Sequence, residues 1–143
     1  MSTNADLVKE NFKDVSPRAS HMAERFYSTL FKRAPELLPL FDHTDWAKQR
    51  YILVASLYYI VFNLDNPQAL KRSLGEMGAR HMEYGIEPQD FIVFGECLLD
   101  AIAYVSGPTW NDTLHQAWTE AYNEVREMML AKQTRPAESN RPK

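Results

Sequence analysis

Residues 70–88 hold the pattern that most restricts how this chain can fold. Four of them are spaced i, i+4, i+7 and i+11 and would share one face of an α-helix: Leu70, Leu74, Met77 and His81. Gly85 and Pro88 follow and predict the end of that helix. An apolar face that ends in one imidazole has two interpretations. His81 is either a structural histidine of the core or a metal ligand that faces an apolar cavity.

Helix boundaries of the same kind recur along the chain. Ser16–Pro17 and Asn66–Pro67 each combine an N-cap residue with proline at the first helical position, and Glu87–Pro88 does so more weakly. After the break at Gly107–Pro108, Thr109–Asp112 resembles a capping box. These signals predict an all-α chain with helices over 5–14, 17–33, 46–64, 67–82, 88–106 and 110–131, and a short turn over 35–41.

Apolar stripes at helical spacing support the last two helices. One stripe comprises Phe91, Phe94, Leu98, Ala101 and Val105, and the other comprises Leu114, Trp118, Ala121, Val125 and Met128. The run 51–62 is rich in β-branched and aromatic residues, and without a partner strand it predicts a helix that is buried on most sides. We predict one domain over 1–132 and a disordered tail or linker over 133–143, where almost no apolar residue occurs.

Composition narrows the classes of partner. The 143 residues carry a formal net charge of −3, which gives no electrostatic reason to expect nucleic acid or an anionic membrane. The amino terminus lacks a signal pattern, and 51–62 is too short to span a bilayer. Cys97 is the only cysteine, so an intrachain disulfide and a cysteine-based zinc site are excluded. We therefore expect a soluble cytoplasmic protein.

Few other residues suggest chemistry. Cys97 has no histidine near it in sequence and is interpreted as a small core residue. His21 and His115 have polar neighbours and are expected in solvent, and His43 lies in a loop where it is either a surface residue or a contact to a bound group. The acidic pairs Asp42/Asp45 and Glu124/Glu127 are expected on solvated faces. From the residues alone, Gln49 is either a half-exposed helix residue or a cavity residue, and Tyr27 is either a core residue or a hydrogen-bond donor.

The order of several motifs resembles bacterial globins of the flavohaemoglobin and single-domain haemoglobin lineage. The similar stretches are 26–42, the helix with Gln49 and Leu53, His81 followed by 84–88, 95–102 and 117–122. The resemblance implies a globin fold, a sandwich of three helices over three around haem b. It implies that His81 is the proximal iron ligand and Phe41 the aromatic wedged against haem. Distal residues would be Tyr27, Gln49 and Leu53, with Met77, Arg80 and Ile86 as further haem contacts.

Two positions differ from the pattern of that lineage. Phe91 stands ten residues after His81, where the family usually has Tyr, and Gln133 stands fifteen residues after Trp118, where an acid is expected. Such partners make the proximal imidazole more electron-donating, so their loss predicts a less peroxidase-like iron. The chain ends where a flavin reductase domain would begin, so we expect any turnover to need a separate reductase.

The resemblance leaves several functions open. The first is reversible binding of O₂, and of NO and CO, for delivery, storage or scavenging, by a monomer or weak homodimer. The second is NO dioxygenation with a separate reductase. The third is gas sensing, with the tail as part of a linker. The fourth is a haem-free helical interaction module.

Overall fold

The computed structural model describes residues 3–131, which fold into six α-helices. They are α1 Asn4–Val15, α2 Ala19–Arg33, α3 Trp46–Val61, α4 Pro67–Glu83, α5 Asp90–Ser106 and α6 Asp112–Leu130. No strand occurs in this range, so the predicted all-α class is confirmed. The predicted turn over 35–41 is a 3₁₀ helix, Pro35–Phe41. Gln133 and the predicted tail lie outside the described residues.

Side-chain caps fix the starts of four described helices, and Thr3 caps α1 by accepting from the Asp6 N–H. The Asn66 side chain accepts from the Ala69 N–H and Pro67 opens α4, as expected. Asp45 caps α3 by accepting from the Lys48 N–H. Asn111 caps α6. Each cap satisfies one of the backbone donors that a helix start leaves unpaired.

Three predicted helix starts are wrong by two residues. At α6, which was expected to begin at 110, the cap is Asn111 and not Thr109. Ser16 does not cap α2, because its hydroxyl donates to the Lys13 carbonyl at the end of α1 and residues 16–18 form a 3₁₀ turn. The helix therefore begins at Ala19. Glu87–Pro88 also precedes its helix by a turn. There the Glu87 N–H donates to the Asp90 carboxylate, and α5 begins at Asp90.

The helices pack in two layers, with α1, α3 and α4 over α2, α5 and α6. Contacts are most extensive between α2 and α5 and between α4 and α6. A small apolar cluster holds α4 in place, with Leu70 and Leu74 fully buried. Full burial of such a side chain contributes about 1.5–3 kcal/mol. Gly78 lets α4 approach α6, because a Cβ there would overlap the Met129 backbone carbonyl. This close approach fixes the helix one turn before His81.

The end of α4 is also fixed next to His81. Gly85 has a φ of +99°, a left-handed conformation that favours glycine and reverses the chain. The turn brings the Ile86 N–H to 3.1 Å from the His81 backbone carbonyl. The predicted end of this helix is thus correct to within one residue, and its terminal turn carries the imidazole.

The predicted burial of the 51–62 helix is wrong. Only Leu57 and Val61 are buried in α3, and Tyr51 is 72% exposed. Among the described residues, the main helix contacts of α3 are with α2 and α1, and much of its surface stays uncovered. Its inner face borders a cavity instead of solid core, so even Ile52 is 44% exposed. The apolar composition of this helix therefore reflects a cavity wall as well as a core contact.

One stretch of the described chain, Asp90–Thr109, is long and apolar enough to cross a membrane by length and composition. Half of it is buried inside the protein. It comprises α5, which contacts α1, α2 and α6, and the turn that follows. Packing within the domain accounts for its apolar character.

Candidate functional site

A cavity of about 810 Å³ extends between the two layers. Its volume is in the range of pockets that bind cofactors and other small molecules. Side chains from all six described helices and from the segment 39–44 line it, and most of them are apolar. All eight residues that the sequence analysis proposed as ligands or contacts of haem line this one cavity: Tyr27, Phe41, Gln49, Leu53, Met77, Arg80, His81 and Ile86.

His81 enters the cavity wall from the last turn of α4. Its Nδ1 lies 2.7 Å from the backbone carbonyl oxygen of Met77, one turn earlier. A carbonyl oxygen can only accept, so Nδ1 carries the proton and donates it. The imidazole is then the tautomer whose Nε2 has a free lone pair, the form that binds a metal.

Tyr27 and Gln49 supply the polar part of the wall formed by α2 and α3. Tyr27 is 8% exposed, and its hydroxyl oxygen accepts a hydrogen bond of 2.9 Å from Gln49 Nε2. Burial raises the pKa of the Tyr27 phenol above its ordinary value, although the bond from Gln49 opposes part of the rise. Tyr27 therefore remains protonated. Because Gln49 occupies its oxygen as donor, the phenol proton is available to an acceptor in the cavity.

Phe91 occupies the space beside His81. It is 3% exposed, and its ring centroid lies 6.0 Å from that of the imidazole. Its side chain has no hydroxyl to pair with His81. The Tyr122 phenol is engaged elsewhere, because it donates to the Phe91 backbone carbonyl. Burial raises the pKa of Tyr122, so this phenol is also neutral.

Sequence reasoning missed many of the apolar lining residues. Phe94, Leu98, Ala121 and Val125 were assigned only to core stripes, yet they also face the cavity. Helical periodicity shows which side of a helix is apolar. It does not show whether that side packs against protein or borders a cavity. At the polar mouth, His43 is exposed and lines the cavity, so both of its predicted roles remain open.

The remaining candidates lie elsewhere or are engaged. His21 and His115 are exposed, as predicted. His21 borders a more open groove of about 650 Å³ on the far side of α2, which none of the proposed haem residues lines. Cys97 is buried, and burial raises the pKa of its thiol despite the nearby Arg33 guanidinium. A neutral, buried thiol is a poor nucleophile.

The donor set fits haem better than a metal ion held by protein alone. Within residues 3–131, no three His, Cys, Asp or Glu side chains come together in a way that could hold a metal ion. A metal on His81 would need its remaining ligands from a non-protein group. A flat macrocycle that brings its own nitrogens and needs an apolar cavity with one imidazole meets that requirement.

Comparisons with known proteins agree with this geometry. A family model described as Globin matches residues 24–129. A flavohemoprotein of Rhizobium meliloti is 27% identical over 126 residues, and one of Bacillus thuringiensis is 30% identical over 128 residues. The matches cover 87% and 88% of this chain but 31% of each relative, so the chain spans about a third of their length.

Solved structures show the same fold. An engineered carbene transferase, made from a putative nitric oxide dioxygenase of Rhodothermus marinus, superposes with a TM-score of 0.80 at 29% identity. The match covers 91% of this chain and 90% of that one. A bacterial globin from Campylobacter jejuni gives a TM-score of 0.79 at 19% identity, over 90% and 92% of the two chains. The expected sandwich of three helices over three is thereby confirmed, and the chain belongs to the globin family.

Proposed function

We propose that this globin holds haem b through His81 and reversibly binds O₂, and also NO and CO. The observation that carries the proposal is the 2.7 Å contact between His81 Nδ1 and the Met77 carbonyl oxygen. This bond leaves Nε2 as a ligand inside a cavity whose wall also contains the Tyr27–Gln49 pair. Haem supplies an iron with one open position for a diatomic gas.

The chain's own residues define how that gas is held. Tyr27 would donate a hydrogen bond to a ligand that carries partial negative charge. Gln49 fixes the phenol by donating a hydrogen bond to its oxygen. Leu53, one turn beyond Gln49 on α3, helps to exclude water. Phe41, Met77 and Ile86 offer apolar contacts to the macrocycle. Arg80, exposed at the mouth, offers positive charge to its carboxylates.

The surroundings of His81 favour gas binding over peroxide chemistry. Its Nδ1–H bonds to a neutral backbone carbonyl, and the neighbouring Phe91 offers no polar group. An imidazole without an anionic partner is less electron-rich and gives less assistance to cleavage of an O–O bond. We therefore place reversible binding and scavenging ahead of catalytic turnover.

NO dioxygenation with a separate reductase is the alternative function. The observation that favours it is the 29% identity to the protein named a putative nitric oxide dioxygenase, together with the flavohemoprotein relatives. Steady consumption of NO under O₂ by the purified globin with a flavin reductase and NADH would support the alternative. A single stoichiometric loss of NO, with no further turnover, would support the carrier.

Replacement of the proposed ligand tests the proposal. His81→Ala should abolish or scramble the absorption spectrum of the reduced haem protein, and added imidazole should restore it. His21→Ala and His115→Ala are matched controls, because both histidines are exposed and lie outside the cavity. A normal five-coordinate ferrous spectrum in His81→Ala without imidazole would refute the assignment. Failure of the unmodified protein to bind haem would favour the haem-free module.

A further inference from the structure

Four aromatic rings, one of them the Tyr27 ring, form a cluster next to the Tyr27–Gln49 hydrogen bond. They are Tyr27 and Phe31 on α2, Phe41 in the 3₁₀ helix and Trp46 on α3, and we call them the aromatic quartet. All six pairs are in contact, with ring centroids between 5.3 and 6.2 Å apart. The quartet therefore ties together the three segments that carry Tyr27, Phe41 and Gln49.

Trp46, like Phe31, has no direct role in the proposed gas binding. It does not line the cavity, although Tyr27 and Phe41 do. Its ring meets Tyr27 edge-to-face, with centroids 5.3 Å apart and planes at 67°. It stacks on Phe41 at 5.6 Å and 21°. Both arrangements are favourable for aromatic pairs and add to the free energy of burial.

Trp46 and Gln49 share the first turn of α3. Trp46 is the first residue of α3, directly after the Asp45 cap, and Gln49 follows three residues later on the same side of the helix. The quartet thus anchors the first turn of α3 against α2. The 2.9 Å bond from Gln49 to Tyr27 crosses between the same two helices. A shift of this turn would lengthen that bond.

We propose that Trp46 is a positioning residue that sets the direction of the hydrogen bond from Tyr27 to a bound gas. It acts from outside the cavity: its ring packs against the Tyr27 ring, and its backbone belongs to the helical turn that carries Gln49. The ligand measurements rest on the proposed function, whereas the position of Gln49 can be followed without haem.

Trp46→Leu removes the ring contacts, and Trp46→Phe keeps an aromatic ring of smaller size. With Trp46→Leu the infrared C–O stretch of the ferrous CO form should broaden and move to higher frequency, towards that of Tyr27→Phe. The O₂ dissociation rate should rise roughly 2- to 12-fold, the range for losing the neutral Gln49–Tyr27 bond that orients the phenol. Trp46→Phe should fall between Trp46→Leu and the unmodified protein.

Trp110→Leu is the matched control. Trp110 is also half-buried, contacts His115 at 6.1 Å and does not line the cavity. Its removal should leave both ligand measurements unchanged. If Trp46→Leu gave the same C–O band and rate as the unmodified protein, or if Trp110→Leu gave the same changes as Trp46→Leu, the inference would be overturned.

A double-mutant cycle separates positioning from a general effect on structure. In a Tyr27→Phe, Gln49→Leu background the donors are gone, so adding Trp46→Leu should have no further effect on the O₂ dissociation rate. An effect of the same size as in the unmodified protein would show that Trp46 acts as a wall to gas escape. If Trp46→Leu does not fold, judged by circular dichroism, the same cycle is run with Trp46→Phe.

A measurement on the haem-free protein distinguishes failure of this inference from failure of haem binding. The side-chain amide signal of Gln49 in an ¹⁵N–¹H spectrum is identified by its loss in Gln49→Leu. It should move in Trp46→Leu and stay in place in Trp110→Leu. If it stays in place in both, Trp46 does not position Gln49, whatever the protein binds.

Discussion

The O₂ dissociation rate should depend more on Tyr27 than on Gln49, for a reason visible in their hydrogen bond. Gln49 Nε2 uses one of its two protons to donate to the Tyr27 oxygen at 2.9 Å, which leaves the Tyr27 proton for a ligand. Tyr27→Phe removes that proton. Gln49→Leu leaves the phenol in place and removes only the group that orients it.

The expected magnitudes follow from the charge of the acceptor. A net hydrogen bond to a charged group contributes about 1.5–3 kcal/mol, and a neutral one about 0.5–1.5 kcal/mol. At about 1.4 kcal/mol per factor of ten, Tyr27→Phe should raise the dissociation rate roughly 10- to 150-fold. Gln49→Leu should raise it roughly 2- to 12-fold. The double variant should lose about 2–4 kcal/mol, or roughly 30- to 1000-fold, and contact between the two side chains makes exact additivity unexpected.

Stopped-flow displacement of O₂ by excess CO measures this rate. Ser56→Ala is the matched control, because it removes a hydroxyl from the cavity wall on α3 without touching the Tyr27–Gln49 bond. Its rate should match that of the unmodified protein. Unchanged rates in both Tyr27→Phe and Gln49→Leu would refute the distal arrangement. A larger effect of Gln49→Leu than of Tyr27→Phe would refute the assignment of the donor.

Three further outcomes are expected. Phe91→Tyr combined with Gln133→Glu should raise the iron–histidine stretching frequency in resonance Raman spectra and increase peroxidase activity, whereas a peroxidase-like frequency in the unmodified protein would contradict the carrier interpretation. Gly78→Ala should lower the melting temperature by about 3–10 °C, from roughly 1–3 kcal/mol of overpacking against the Met129 carbonyl, and an unchanged melt would contradict that close approach. Because the pKa of Tyr27 is raised from 10.0, its neutral form is favoured by folding, so its contribution to stability is present at neutral pH and lost as the pH rises beyond about 10. The O₂ dissociation rate should therefore be flat from about pH 7 to 9, and a rise within that window would show an ionising phenol.

Local sequence signals predicted the helices well because each signal acts within one or two turns. At the start of α4, the Asn66 side chain accepts from the N–H three residues later. At its end, Gly85 adopts a left-handed conformation. The failures at Ser16 and Glu87 have the same origin. The Ser16 hydroxyl bonds to a backbone carbonyl of the preceding helix, and the Glu87 N–H bonds to the Asp90 side chain. The sequence alone does not reveal which of the possible hydrogen bonds forms.

Burial was harder to predict than helix formation. The run 51–62 was expected in the core because its residues are apolar, yet only Leu57 and Val61 are buried in α3. Hydrophobicity records that a side chain avoids water; it does not record whether protein, a cofactor or another molecule covers it. Ile52 faces the cavity, and in our proposal its cover is the prosthetic group.

The candidate site was also only partly predictable from the sequence. His81 was singled out by the apolar stripe of its helix, and Tyr27 and Gln49 by motif order. Their meeting in one cavity follows from how α2, α3 and α4 pack. For Trp46, the i, i+3 spacing in the sequence places it on the same side of α3 as Gln49 and gives no further contact. The contacts of Trp46 with Tyr27 and Phe41 join segments that are far apart in the chain. The bond of His81 to the Met77 carbonyl, by contrast, spans a single turn and requires only that residues 77–81 be helical. A site of this kind is therefore predictable where its geometry is local. Where orientation comes from contacts between helices, as in the aromatic quartet, it needs the folded structure.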